Sequence, residues 1–317
     1  MPVLDAFLKA RFQHPGQPDI AGSPTQVEQT VIMRVILVPM VGDADDASGL
    51  AAAYAVARRF RAHIDGMFMR PDPVEAIISL EGEATPELIT NVTRASTATW
   101  DARSKLAKQA FDAARAGADA VLADQPTGTD SVTAQWREIV GGAEVVLPVE
   151  GRLADLIVFG GIHAAGSMHR RRLFEVALLH AARPLLLVPE TIPAAIGNTI
   201  SVAWNGSAES AHAVAGALPL LMNADQIHIL TAASPRTEVE RADGLAKYLS
   251  WHGVSCERHP MYPTNQIGAA LLTTSRELGA DLLVMGGYGR SRVRELVFGG
   301  VTRTVLGQYD LPILLAH

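Results

Sequence analysis

Two segments of this chain are near copies of one another. Ala154-Asp155-Leu156-Ile157-Val158-Phe159-Gly160-Gly161 stands beside Ala280-Asp281-Leu282-Leu283-Val284-Met285-Gly286-Gly287. Each is followed by a helical pattern and then by a second matched run. That run is Arg183-Pro184-Leu185-Leu186-Leu187-Val188 in one case and Leu311-Pro312-Ile313-Leu314-Leu315-Ala316 in the other. Short apolar runs bounded by turn residues have the composition of strands buried on both faces. A chain that does this twice, in the same order, is a tandem repeat of one α/β unit.

The intervening sequence agrees. Residues 33–39, 62–69, 154–161 and 183–189 read as strands of the first copy, with 136–138 in a third strand or the loop beside it and helices at 51–61, 100–116 and 173–182. Asp45 or Asp46 is placed to cap the first helix. Residues 70–99 are less regular. In the second copy, strands are expected at 199–204, 226–231, 254–259, 281–284 and 311–315. Helices are expected at 208–221, 238–251 (ended by Gly253) and 265–278, with another after the glycine-rich stretch at 285–302. Strands alternating with helices predict parallel sheets covered on both faces. The fold class is therefore α/β, two tandem five-stranded parallel-sheet sandwiches. The expected units are 33–190 and 198–317, with the seam near 190–198 and residues 1–32 as a poorly ordered extension. Met33 opens a strand at once and is an alternative start.

The totals exclude several functions. At 317 residues, 48% hydrophobic, the chain has material for two cores. A net charge of −6 lacks the basic footprint of a nucleic-acid binder. Cys256 is the single cysteine, so no intrachain disulfide forms, which fits a reducing compartment. No apolar run approaches bilayer length and the N-terminus lacks the apolar core of a signal peptide. The expected location is cytoplasmic, with no membrane partner.

Met285-Gly286-Gly287-Tyr288-Gly289-Arg290 follows an apolar strand and leads to Gly299-Gly300-Val301-Thr302 and a helix. A strand, a glycine turn and a helix start make an anion site. Glycines let the backbone approach a ligand closely, and the first-turn N–H groups of the helix point at negative charge. In open α/β sheets ligands sit beyond the carboxyl ends of the strands. Asn205, the loop after Leu230 and the glycine stretch all fall there.

These residues carry a resemblance. The spacing Gly286-x2-Gly289-x9-Gly299 matches the G-x2-G-x9-G-[ST] signature of the universal stress protein family, with Gly300 in place of the final hydroxyl residue. The turn Trp204-Asn205-Gly206-Ser207 resembles the family's acidic turn after the first strand, with Asn205 where aspartate is usual. The sequence is similar to a tandem universal stress protein from about Met33 onward, of the Rossmann-like, adenine nucleotide alpha hydrolase-like fold. The resemblance implies an ATP site, with or without Mg²⁺, in the second copy. Its implied contacts are Ala203, Asn205, Ala232, Gly286, Gly289, Gly299, Gly300 and Val301. It also implies a stress-response regulator with at most weak ATPase activity, a protein partner and an intrachain pseudo-dimer, and it leaves room for a homodimer. An adaptor that binds no nucleotide is the alternative, favoured by Gly300 and Asn205. No Ser/His/Asp triad or Cys/His pair can be assembled, so no catalytic residue is named.

In the first copy the motif is lost. Ile162-His163-Ala164-Ala165-Gly166 follows Gly160-Gly161, and Arg170-Arg171-Arg172 replaces the later glycine pair. Asp43, Asp45 and Asp46 would repel phosphates, so no nucleotide is expected there. Arg290, Arg292, Arg294 and Arg303 flank the second-copy loop as attractors of phosphate or as a solvated face. His252, Cys256 and His259 are spaced loosely like zinc ligands. Cys256 and His259 would point to opposite faces of a strand, so no metal site is expected. His163 and His169 are expected in solvent, and Trp136-Arg137-Glu138 at a packed core edge.

Overall fold

The computed structural model describes residues 33–71, 86–127, 130–162, 168–193, 195–232, 235–261, 266–287 and 300–317. The strands are β1 (Val35–Met40), β2 (His63–Arg70), β3 (Val121–Leu122), β4 (Thr133–Val140), β5 (Leu156–Phe159), β6 (Leu185–Leu187), β7 (Thr199–Ala203), β8 (Gln226–Ala232), β9 (Glu257–Met261), β10 (Leu282–Gly286) and β11 (Ile313–Ala316). The helices are α1 (Asp45–Phe60), α2 (Pro86–Gly117), α3 (Ala143–Gly151), α4 (Met168–His180), α5 (Ala208–Leu221), α6 (Pro235–Ser250), α7 (Ile267–Glu277) and α8 (Gly300–Gln308). The expected extension at 1–32 and the glycines Gly289 and Gly299 lie outside the described residues.

The strands form one sheet in the order β3-β4-β2-β1-β5-β6-β11-β10-β7-β8-β9. Every pairing is parallel except β6 with β11, where Leu186 faces Leu314. Each half therefore has its own parallel sheet, and the two join edge to edge. Pairing the two last strands satisfies backbone groups that would otherwise form exposed edges. The two-residue β3 is an addition to the expected five strands of the first half.

Alternation along the strands divides the core into two layers. Ile36, Val38, Leu282, Val284 and Leu314 point into one buried cluster, and Leu37, Leu283, Met285, Ile313 and Leu315 into the other. That is the pattern of a sheet covered on both faces.

Matched residues perform matched tasks. The Asp155 carboxylate accepts hydrogen bonds from the Arg34 and Val35 amides at 2.7 and 3.0 Å. The Asp281 carboxylate accepts from Gly197 at 2.7 Å, Asn198 at 3.0 Å and Thr199 at 3.3 Å. In both halves the residue before the fourth long strand pins the start of the first. Arg59 ties the connecting segment down, donating to the carbonyls of Ile196 and Asn223, both at 2.6 Å.

Three expected boundaries move for physical reasons. Helix α1 starts at Asp45, and Asp46 does not cap it. Instead the Asp46 carboxylate reaches back to the amides of Val41 (3.1 Å) and Gly42 (2.8 Å). Helix α2 begins at Pro86, because proline is tolerated in a first turn, where its missing N–H has no partner to lose. Strand β9 begins at Glu257 rather than at 254 and runs to Met261.

Candidate functional site

The carboxyl ends of β7, β8 and β10 open into a cavity of about 300 Å³. It sits where the strand order reverses direction between β10 and β7, the usual ligand position in such sheets. Ala203, Asn205, Ala232, Gly286, Gly300 and Val301 all line it. These are six of the eight residues singled out from the sequence. The other two, Gly289 and Gly299, fall within residues 288–299, which lie outside the described residues.

Several wall residues escape a sequence reading. Leu230 and Met285 come from the strands, and Ile267 and Leu271 from the first turns of α7; together they make an apolar slot. The polar part of the lining comes from Asn205, Ser207, Glu209 and the backbone of Gly286, Gly287 and residues 300–302. An apolar slot with a few convergent polar groups is the ordinary form of a small-molecule site.

Two helix starts border the cavity. Ser207 caps α5, its Oγ accepting from the Ser210 amide at 3.2 Å. The Asn205 Oδ1 accepts from the Ser207 amide at 3.0 Å, so this side chain builds the turn. Helix α8 opens with Gly300 at the cavity wall, and its first-turn N–H groups lack intrahelical partners. They and the helix dipole favour negative charge there. Gly300 is exposed, and a β-carbon on it would meet nothing within 4 Å. Gly286 differs: a β-carbon there would stand 2.6 Å from the Ser210 nitrogen and 2.8 Å from the Glu209 carbonyl carbon. Gly286 is thus needed for the close approach of α5 to β10. Arg303, on α8, is exposed; Arg290, Arg292 and Arg294 lie outside the described residues.

The corresponding crevice in the first half is filled by the chain itself. Gly160 again permits a close approach, with the Asp45 carbonyl oxygen only 2.0 Å from where its β-carbon would be. Arg170, 1% exposed, sits among the acids. Its guanidinium donates to Asp46 at 2.9 Å and also pairs with Asp43. Two of the three acids read as a phosphate-repelling loop, Asp43 and Asp46, are thus bound to an arginine of α4. The Arg103 carbonyl oxygen of α2 closes over Gly42, 2.3 Å from where a β-carbon would be. His169 is not in solvent: it is half-buried, its ring 5.5 Å from that of Trp100. Burial, then the neighbouring arginines, push its pKa below the ordinary 6.5. His163 lies outside the described residues. Trp136 packs into the core beside Phe68 and Phe111, as expected. Arg137 lines a second hollow of about 800 Å³ on the first half, but it is committed to Asp65 at 3.0 Å and Glu150 at 2.8 Å.

Residues 264–317, from just before α7 to the end of β11, match the model of the universal stress protein family. The last part of the chain is thus similar to a segment of that family, and the match covers residues 264–317 alone. A universal stress protein from Archaeoglobus fulgidus DSM 4304 has the same fold, at a TM-score of 0.58 and 13% identity, over 89% of this chain and 97% of its own. A protein of unknown function from Pseudomonas aeruginosa PAO1 aligns at 0.53 and 15% identity, over 90% and 92% of the two chains. A putative universal stress protein from Pseudomonas aeruginosa UCBPP-PA14 aligns at 0.52 and 16%, over 90% and 93%. No curated protein sequence matches. The matched segment contains β10 and the start of α8, two walls of the cavity. Among the described residues no helix is long and apolar enough to cross a membrane.

Proposed function

We propose that the cavity at the ends of β7, β8 and β10 binds an adenine nucleotide, ATP, with or without Mg²⁺, and that the chain is a stress-response regulator governed by its occupancy. One observation carries this reading. Ala203, Asn205, Ala232, Gly286, Gly300 and Val301, scattered over about a hundred residues, line one cavity together with the apolar Leu230, Ile267, Leu271 and Met285, and its wall includes the start of α8. The slot suits a purine base. The start of α8 suits phosphates, with Gly289 and Gly299 in the segment that leads into it. The repeat division at 190–198 then makes the chain an intrachain pseudo-dimer: residues 198–317 hold the nucleotide, and residues 33–190, their crevice filled by Arg170, act as the structural partner. The protein works in the cytoplasm, signals through a protein partner and has at most weak ATPase activity. A homodimer of whole chains fits the same scheme.

A second reading is favoured by the Asn205 contact. Its Oδ1 is engaged by Ser207 and carries no charge to hold a metal, and Gly300 has no hydroxyl to offer a phosphate. A nucleotide-free adaptor would have those features. Equilibrium dialysis with ATP, with and without Mg²⁺, separates the two. Saturable binding at or below millimolar ATP, lost in Gly289→Val, supports the regulator; its absence under both conditions leaves the adaptor.

A further inference from the structure

Away from the cavity, β8 and the edge strand β9 bring three ligand-type side chains together. In the parallel register His228 faces Glu257 and Leu230 faces His259. Residues 257 and 259 are two apart, so both project on the same face as His228. The His228 Nδ1 and His259 Nε2 are 3.0 Å apart. The Glu257 Oε2 is 3.7 Å from the first and 3.6 Å from the second. His228 is buried, His259 half-buried, and the Glu257 side chain is 76% exposed.

We propose that His228, His259 and Glu257 form a site for a divalent transition-metal ion of the zinc type. The triangle has the right size. Donor atoms about 2.0–2.1 Å from a tetrahedral ion stand roughly 3.3 Å from one another, and these three stand 3.0, 3.6 and 3.7 Å apart. The donor set is also right: two imidazole nitrogens and one carboxylate suit a borderline-soft ion, and three protein ligands leave a fourth position for water. The Glu257 side chain, 76% exposed, opens the trio to solvent at the edge of the sheet.

The chemistry of the pair supports a metal over a proton. Two neutral imidazoles facing nitrogen to nitrogen can share only one hydrogen. A metal ion accepts both lone pairs at once, and Glu257 offsets part of its charge. The His228 Nε2 is buried without a hydrogen-bond partner, and so is the Oγ of Ser201, the residue beside His228 in the register of β7. An unused hydroxyl thus stands next to a histidine that, once metallated, needs an acceptor for its other N–H. This trio differs from the pattern visible in the sequence: Cys256 precedes β9, and His252 precedes it further, in the turn after α6.

Tag-free protein titrated with Co²⁺, followed by its visible d–d absorption, tests the site. The expected result is one ion per chain with the intense bands of a four-coordinate ion, bleached by one equivalent of Zn²⁺. His259→Gln and Glu257→Gln should each weaken Co²⁺ at least tenfold, while His252→Gln and Cys256→Ser leave it unchanged. No saturable uptake by the wild type up to millimolar Co²⁺ overturns the proposal, and so does binding that both ligand variants retain. If His259→Gln alters the far-ultraviolet circular dichroism, the exposed Glu257→Gln decides. ATP dialysis of the same proteins reads the nucleotide cavity separately.

Discussion

A β-carbon on Gly286 would stand 2.6 Å from the backbone nitrogen of Ser210. The backbone of β10 and the first turn of α5 are in contact, beside the cavity that both line. Gly286→Ala should push the start of α5 away and cost about 1–3 kcal/mol, the ordinary range for overpacking. Gly300→Ala, whose β-carbon enters open space, should cost nothing. Urea melts of the two variants check this; equal midpoints would mean that α5 moves freely.

Asp281 should matter more than its half-exposed position suggests. It receives three successive amides, and without it their N–H groups compete for poorer partners. Asp281→Ala should lose about 2–3 kcal/mol, since hydrogen bonds to a charged acceptor are the strong kind. Asp155→Ala removes the same device from the other half. The two carboxylates share no partner, so denaturant midpoints of the double variant should show the losses adding.

In the first half, Arg170 is the cation at risk. Arg170→Met leaves the Asp46 carboxylate buried with only its two backbone amides. Breaking one side of a buried pair costs about 3–5 kcal/mol. Asp46→Asn in the Arg170→Met background should recover part of that loss, because the remaining group carries no charge. Thermal melts of the single and double variants give the comparison, and a double variant no better than Arg170→Met would remove the buried charge as the cause.

Three histidines set a pH dependence. Burial is the leading cause holding His63, His169 and His228 below the ordinary 6.5. Each takes up a proton less readily in the folded chain than in the unfolded one. Their contribution to stability is therefore complete above pH 6.5 and is lost as pH falls through their folded values. Between roughly pH 7 and 5 the wild type should lose stability faster than His169→Asn. The difference between the two denaturation midpoints against pH isolates that residue. A flat difference would show that His169 titrates normally.

The limits of the sequence reading have physical causes. The central strands were legible because burial on both faces leaves runs such as Leu282-Leu283-Val284, with no polar positions to confuse them. The edge strand β9 was expected but placed at 254–259, because Glu257, Arg258 and His259 lie at the margin of the sheet and have no apolar pattern to mark its ends. Helix α3 was hidden by Gly141-Gly142 before it and Pro148 within it. The polar side of the cavity could be read because glycines and a turn asparagine have few other reasons to gather at strand ends. Its apolar wall could not: Ile267 and Leu271 look like any helix face turned to a core. Arg170 was the hardest, since a run of three arginines reads as solvated surface until its acidic partners are in place. His228 and His259 are on different strands, and only the register joins them.

Gly300 and Asn205 are the two departures from the family's signature, and the geometry makes both reversible. Gly300 has open space where a side chain would go, so Gly300→Ser adds a hydroxyl without moving its neighbours. One added neutral hydrogen bond is worth about 1 kcal/mol, which should tighten ATP roughly fivefold. Asn205 accepts the Ser207 amide through Oδ1, a contact an aspartate makes equally well. Asn205→Asp keeps the turn and adds the charge that Mg²⁺ prefers, so the gain should appear only with Mg²⁺ present. Isothermal titration with ATP, run with Mg²⁺ and with EDTA, distinguishes these effects. If neither substitution changes the affinity, the phosphates do not sit between the Asn205 turn and the start of α8.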